Sequence, residues 1–280
     1  MANGHLQLHF ERTDAGTILR VPLQTPPLRV VRGFTGADGM RLAHIHNLSG
    51  GVLGGDHLWV ETVVGPGAAA QITSTGATRL YRRRANGGSA QQRTNIRVEM
   101  GGLLEYLPDV IIPYADACYQ QTTCIELAAD AGLFYWEVVA PGREASGELF
   151  QYHRLRLDLD IVAAGQLVAL ERVQLEPKLR PLTSPARLGP YRYFGTFYVC
   201  RVNTPPPVWL QLEARLTHLA DQLNTPGEVI WGVSTLPAHG LAVRVASRSS
   251  RLIVGSLPQF WQLAKRDLYQ VDAVLPRKVY

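Results

Sequence analysis

The chain has 280 residues, and its 28 Lys and Arg against 23 Asp and Glu give a formal net charge of +5. Hydrophobic residues make up 46% of it, which is ample for a core, and no apolar run is long enough to predict a membrane span. The cysteine count of three is odd and includes no Cys-x-x-Cys pair. It argues against a disulfide framework or a thiolate zinc site, so we expect a reducing cytoplasm.

The positive charge is carried almost entirely by arginine, since the chain has only three lysines. Arginine favours planar contacts with carboxylates and aromatic faces and is enriched at protein interfaces. The basic residues are scattered apart from the run Arg82-Arg83-Arg84, which is typical of a solvated loop. We therefore expect protein partners, and neither nucleic acid nor membrane.

His44 and His46 are candidates for metal binding. Two residues apart on a strand, they point to the same face, and imidazole suits nickel and zinc. No third ligand is in view, so the pattern favours two polar strand residues over a metal site.

A glycine-rich block, residues 49–56, follows this strand and ends in Asp56. Four glycines around two apolar residues allow backbone conformations closed to other residues. A nucleotide-binding P-loop needs Gly-Lys-Ser/Thr at its end, whereas this block ends in a carboxylate that repels phosphate. The block predicts a rigid turn that ends in the carboxylate of Asp56.

Strand patterns dominate the rest of the chain. Leu58, Val60, Thr62 and Val64 share one face of a predicted strand, and residues 154–161 alternate between polar and apolar. The absence of a strand–helix rhythm argues against a doubly wound fold. Turn signals recur at Gly65-Pro66-Gly67, Asn86-Gly87-Gly88, Gly101-Gly102 and Ala164-Gly165.

Two helices are predicted in the C-terminal half. The first covers residues 208–223, with leucines at helical spacing. The second begins at Ser256-Leu257-Pro258-Gln259, which has the N-cap, early proline and third-position Gln of a helix start. No linker separates two domains, so residues 1–280 are expected to form one.

Several motifs follow one another along the chain: residues 56–81, 104–109 with 111–114, 141–144 with 147–150, 187–191 and the closing 275–279. Together they resemble the urease accessory protein family UreD, called UreH in some bacteria. The resemblance covers roughly residues 10–279 and implies a single UreD-like domain. The fold it implies is dominated by β-strands, with layered antiparallel and mixed sheets that are β-helix-like, flanked by two α-helices.

The resemblance also implies a function without catalysis. Such proteins are scaffolds and metallochaperones that assist nickel insertion into apo-urease, with nickel passing through an internal channel. The implied partners are the urease apoprotein, a UreF-like helical protein and, through it, a UreG-like GTPase. No cofactor is expected to be bound tightly, and nickel is in transit.

Carboxylates within these motifs are candidates for such a path, because they attract a divalent cation yet release it. We hypothesise that Asp56, Glu105 and Asp109 contribute to a transient nickel route. The scarcity of imidazole and thiolate clusters predicts weak nickel affinity.

An alternative interpretation is a β-rich carbohydrate-active hydrolase that uses paired carboxylates such as Asp109 and Glu144. The sequence does not show that these two face each other. It contains no Gly-x-Ser-x-Gly elbow and no His-Glu-x-x-His motif, so the enzyme interpretation is the weaker one.

Overall fold

The computed structural model describes residues 2–36, 39–83 and 87–275. Arg84 of the arginine run, Asn86 of one predicted turn and residues 276–279 of the closing motif lie outside these ranges.

Strands dominate the described chain, at 49% strand against 16% helix, as the sequence predicts. The first nine strands are β1 (Asn3–Thr13), β2 (Gly16–Gln24), β3 (Leu28–Arg29), β4 (Gly33–Thr35), β5 (Arg41–Asn47), β6 (His57–Val64), β7 (Ala69–Ser74), β8 (Thr78–Leu80) and β9 (Ala90–Val98). They are followed by β10 (Leu103–Tyr106), β11 (Ile111–Pro113), β12 (Cys118–Leu127), β13 (Gly132–Val139), β14 (Arg154–Ala163), β15 (Gln166–Leu175), β16 (Tyr193–Arg201), β17 (Val229–Thr235) and β18 (Gly240–Ser247). The helices are α1 (Pro206–Leu223), α2 (Ser250–Tyr269) and a short 3-10 helix (Glu144–Ser146).

The strands form two main sheets between which the chain alternates. The first sheet has the order β15-β14-β12-β9-β6-β1-β2, and the five strands from β14 to β1 are parallel. The second has the path β17-β18-β16-β13-β10-β7-β5-β3, with β13, β10, β7 and β5 parallel. The short strands β8 and β11 pair in parallel, and β11 joins them to β13 of the second sheet. This coiling from sheet to sheet is the β-helix-like arrangement of mixed sheets that we expected.

The main core lies between the two sheets and follows the period of two. In β6 the side chains of Leu58, Val60, Thr62 and Val64 are buried, whereas Trp59 is exposed. The predicted alternation in residues 154–161 is also confirmed, because β14 buries its odd-numbered leucines. It pairs with β15 antiparallel but with β12 in parallel.

The two helices cover the outer face of the second sheet and form a separate apolar cluster. The first helix is confirmed, and its Leu212 and Leu216 are buried there. The predicted start of the second helix is wrong. The helix begins at Ser250, the side chain of Ser249 accepts from the amide of Arg251, and Pro258 lies inside it.

The second helix starts earlier because its apolar stripe extends upstream of the proline. Leu257 and Ile253 are buried one and two turns before Trp261, respectively, on the same side. Packing of that stripe against the sheet outweighs the proline's missing amide. Neither described helix is long and apolar enough to cross a bilayer.

Candidate functional site

Asp56 closes the glycine-rich turn and is fully buried. Its two carboxylate oxygens accept from the amide of Ala2 at 2.8 Å and from the amide of Leu53 at 3.0 Å. The rigid acid-tipped turn is thus present, and its carboxylate ties the N-terminal segment to the turn. Gly51 in this turn meets other backbone closely, since a Cβ there would lie 2.5 Å from the carbonyl oxygen of Arg79.

Glu105 lies on β10 and faces α2, on the outer side of the second sheet. Its side chain is fully buried and forms an ion pair with Lys265 at 2.8 Å. The amide of Gln71 donates to its other oxygen at 2.6 Å and also contacts the carbonyl of Val274 at 3.3 Å. Burial raises the pKa of Glu105, and the Lys265 ammonium opposes that rise. This carboxylate therefore anchors α2 and the segment after it.

Asp109 lies in the turn after β10, partly buried, and is bonded to Ser74 at the end of β7. The Ser74 hydroxyl donates to its carboxylate at 3.2 Å and accepts from its backbone amide at 2.8 Å. Ser74 also lines a cavity of about 240 Å³ that opens beside the glycine-rich turn. Of the three predicted residues, Asp109 thus contacts this cavity's wall.

The three carboxylates each have separate partners. Within the described ranges, no group of three or more His, Cys, Asp or Glu is arranged to hold a metal ion. His44 is buried and stacks edge-on against Phe34 at 5.4 Å, and His46 is partly exposed. The predicted path residues therefore form no preformed metal centre.

A belt of polar side chains crosses the interior between the two sheets. It begins in the first cavity, whose lining includes Gln92 and Tyr106. The hydroxyl of Tyr119 lies 3.2 Å from Oε1 of Gln92 and 3.1 Å from Oε1 of Gln121, and the Gln121 amide donates to Glu137. A hydrogen-bonded row of side chains thus leads from the first cavity into the middle of the sandwich.

Glu137 and Glu171 share a second, smaller cavity of about 20 Å³. Burial raises the pKa of Glu137 to about 7, and the charge of Glu171 adds to the rise. Glu137 accepts from the hydroxyl of Tyr135 at 3.2 Å, and Glu171 from that of Tyr198 at 2.8 Å. The hydrogen bonds that these two carboxylates accept come from hydroxyls and from the Gln121 amide, and carboxylate oxygens suit a hard cation.

The sequence analysis missed Glu137, Glu171 and Gln121. One signal was present for Glu137, which is the single charged residue in the apolar run 133–139. An apolar strand buried on both faces has no solvated side for a carboxylate. For the other two nothing local was visible, because they lie on strands with ordinary polar–apolar alternation.

The carboxylates proposed for glycoside hydrolysis have different surroundings. Glu144 lies in the short 3-10 helix and accepts from the hydroxyl of Tyr193 and from Arg192, each at 2.6 Å. The Tyr193 hydroxyl, with Arg192, lowers the pKa of Glu144, so it is ionised near neutral pH. Asp109 contacts Ser74 in a different turn.

Comparison with known proteins places this arrangement among close relatives. Residues 2–280 match the family described as UreD urease accessory protein. A protein named urease accessory protein UreD from Herpetosiphon aurantiacus is 45% identical over 99% of this chain and 96% of its own length. One with the same name from Halalkalibacterium halodurans is 34% identical over 95% and 92%. Another from Bacillus sp. is 27% identical over 98% of both chains.

Proposed function

Because this chain belongs to the UreD family of urease accessory proteins, which supports a role in urease maturation, we propose that it is a non-catalytic scaffold and metallochaperone. It binds apo-urease and a UreF-like helical protein and guides nickel into the urease active site. The observation that carries this proposal is the polar belt between the sheets. A buried polar side chain costs free energy unless it is hydrogen-bonded, and the side chains of this belt bond to one another.

The belt supports an internal conduit by its chemistry. From the first cavity to Glu171 the side chains offer amide, hydroxyl and carboxylate oxygens, which are ligands for a divalent cation. The second cavity is lined by carboxylates (Glu137, Asp158 and Glu171) without thiolate or imidazole, so its affinity is low enough for release. Nickel is thus cargo in transit.

The three predicted route residues remain part of the proposal, but they differ in their position relative to the first cavity. Asp109 lies beside the first cavity through Ser74, so it is the candidate at that entrance. Asp56 and Glu105 also hold the N-terminal segment and α2, respectively. Alanine at these two therefore tests the route only if folding is measured in the same variants.

The experiment is nickel-dependent activation of urease co-expressed with this chain and the UreF-like protein. We expect Glu137→Gln and Asp109→Asn to lower the nickel content of urease while leaving the accessory complex intact. Glu61→Gln is a matched control, because Glu61 lies on the outer face of the first sheet, half exposed beside Gln7. If the nickel content of urease is unchanged with both test variants, the conduit is contradicted and only the scaffold role remains.

The partners and location follow from the same proposal. The UreF-like protein links this chain to a UreG-like GTPase, which supplies the nucleotide chemistry that the glycine-rich turn does not. All these proteins act in the cytoplasm, where the three free cysteines stay reduced. Pull-down of the UreG-like protein only when the UreF-like protein is present is the expected result.

A further inference from the structure

The interior belt changes sharply in width along its length. The first cavity measures about 240 Å³ and the second about 20 Å³. A cavity of roughly 10–15 Å³ is enough for one water, so the second has room for about one. A divalent cation with about six waters therefore has to lose most of them between Glu137 and Glu171. The second cavity is a constriction, and its polar oxygens replace the lost water.

The constriction lies at one edge of the sandwich. Glu171 is on β15, the last strand of the first sheet, and it faces Thr196 and Tyr198 on β16 of the second sheet. Arg244 on β18 lies just outside, with its guanidinium 3.5 Å from Oε1 of Glu171. The side chain of Arg244 is 61% exposed and that of Glu171 is 24% exposed. A basic side chain, more exposed than Glu171 itself, thus lies against Glu171 at this edge.

We propose that Arg244 is a latch on this edge, and that a divalent cation passes between solvent and the Glu137–Glu171 constriction when Arg244 moves away from Glu171. This inference rests on the proposed conduit and adds the control of its edge-side opening. In the closed position the guanidinium occupies one Glu171 oxygen and repels an approaching cation. The long contact and high exposure make the ion pair weak, so the latch opens without disturbing the sheets.

The neighbouring groups leave this role to Arg244. Asp158 also lines the small cavity, but it is paired with Arg156 at 2.8 Å on the outer side of β14. Arg172 contacts Asp160 at 2.6 Å, and its hydrogen bond to Glu171, at 2.8 Å, goes to the backbone carbonyl. Among the described residues, Arg244 is the basic side chain that contacts the carboxylate of Glu171, whereas Arg156 and Arg172 contact Asp158.

The test uses terbium(III), an oxygen-seeking cation whose luminescence is sensitised by nearby tyrosines. Tyr135 and Tyr198 each donate to a carboxylate of the constriction, so the signal reports arrival of the cation there. The purified full-length chain is mixed with terbium(III) and the rate of the tyrosine-excited rise is recorded. We expect Arg244→Gln to raise this rate about tenfold, as loss of a repelling charge at an entrance does.

Two control variants separate the effect of losing the Arg244 charge from a general loosening of the fold. Arg248→Gln removes a similarly exposed arginine just after β18, 3.4 Å from Glu228, and is expected to leave the rate unchanged. Arg244→Lys keeps the charge and is expected to stay within about twofold of the unmodified chain. Equal rates for Arg244→Gln and Arg248→Gln would overturn the latch. A rise that persists unchanged in Glu137→Gln would overturn the constriction as its destination.

This measurement needs neither urease nor the partner proteins. A chain that fails to activate urease while showing the Arg244 effect would contradict the proposed function and leave the latch standing. Urease activation that depends on the chain, without any effect of Arg244→Gln on the terbium rate, would support the proposed function and overturn the latch.

Discussion

The buried ion pair between Lys265 and Glu105 gives the sharpest prediction about stability. The two side chains are 4% and 0% exposed, and their charged atoms lie 2.8 Å apart beneath α2. Lys265→Met keeps the apolar stem but leaves a carboxylate buried without its cation. Removing one partner of a buried pair costs about 3–5 kcal/mol, so the melting temperature should fall on the order of 10 °C.

The double variant should recover most of this loss. Replacing both charges by apolar groups, as Lys265→Met with Glu105→Leu, leaves no unpaired charge and is often neutral or stabilising. We expect a coupling energy of about 3 kcal/mol in the double-mutant cycle. Arg266→Met is the matched control, because the neighbouring Arg266 pairs with Asp272 in solvent and its loss should cost less than about 1 kcal/mol.

The pH dependence of Lys265→Met follows from the carboxyl left behind. Burial raises the pKa of Glu105 above its value in the unfolded chain, so the folded protein holds that proton more tightly. Stability from this group is complete at pH below the unfolded pKa and is lost as pH rises through the folded pKa. Urea denaturation should therefore show a larger deficit at pH 8 than at pH 5. A deficit below about 1 kcal/mol at both pH values, with additive single substitutions, would refute the reasoning.

Three further predictions concern other buried groups. Asp56→Ala should lower the free energy of unfolding, measured by urea denaturation, by about 3 kcal/mol, because two backbone amides lose their carboxylate acceptor. A loss below about 1 kcal/mol would show that water replaces the carboxylate. Glu137→Gln should stabilise the chain by on the order of 3 kcal/mol at pH 8, with a smaller gain at pH 5. The reason is that burial raises the pKa of Glu137 to about 7, so its ionised form destabilises the folded state. Equal gains in stability at pH 8 and pH 5 would contradict this reason. Gly132→Ala should lower stability by about 2 kcal/mol or more, because a Cβ there would lie 1.8 Å from the hydroxyl oxygen of Tyr269. Combining it with Tyr269→Phe should recover part of this loss, and no recovery would place the strain elsewhere.

The fold class was within reach of the sequence because period-two alternation survives in most strands. Residues 58–64 and 154–161 could be assigned to strands, and their inward faces identified, from that pattern alone. Which strands are neighbours was not visible, since parallel pairing between successive coils depends on contacts far apart in sequence. The start of α2 was misplaced because Pro258 looks like a first-turn proline, whereas Ile253 and Leu257 show that packing extends the helix past it.

The candidate site, too, depends on contacts between residues that are distant in sequence. Conspicuous turns drew attention to Asp56 and Asp109. Asp56 accepts from a backbone amide of its own turn, and Asp109 is bonded to Ser74 at the end of β7. The interior carboxylates come from strands distant in sequence, and only the sandwich brings Glu137 and Glu171 into one cavity. A carboxylate inside an apolar strand is the local pattern that would have found the first of them.

The measurement that tests the central claim most directly is co-purification of the tagged chain with urease subunits and the UreF-like protein, followed by nickel-dependent activation. The account predicts a stable complex and urease whose nickel content falls when Glu137 is replaced by Gln. Absence of association with either partner would contradict the scaffold role. Activation that proceeds equally well without this chain would contradict its part in maturation altogether.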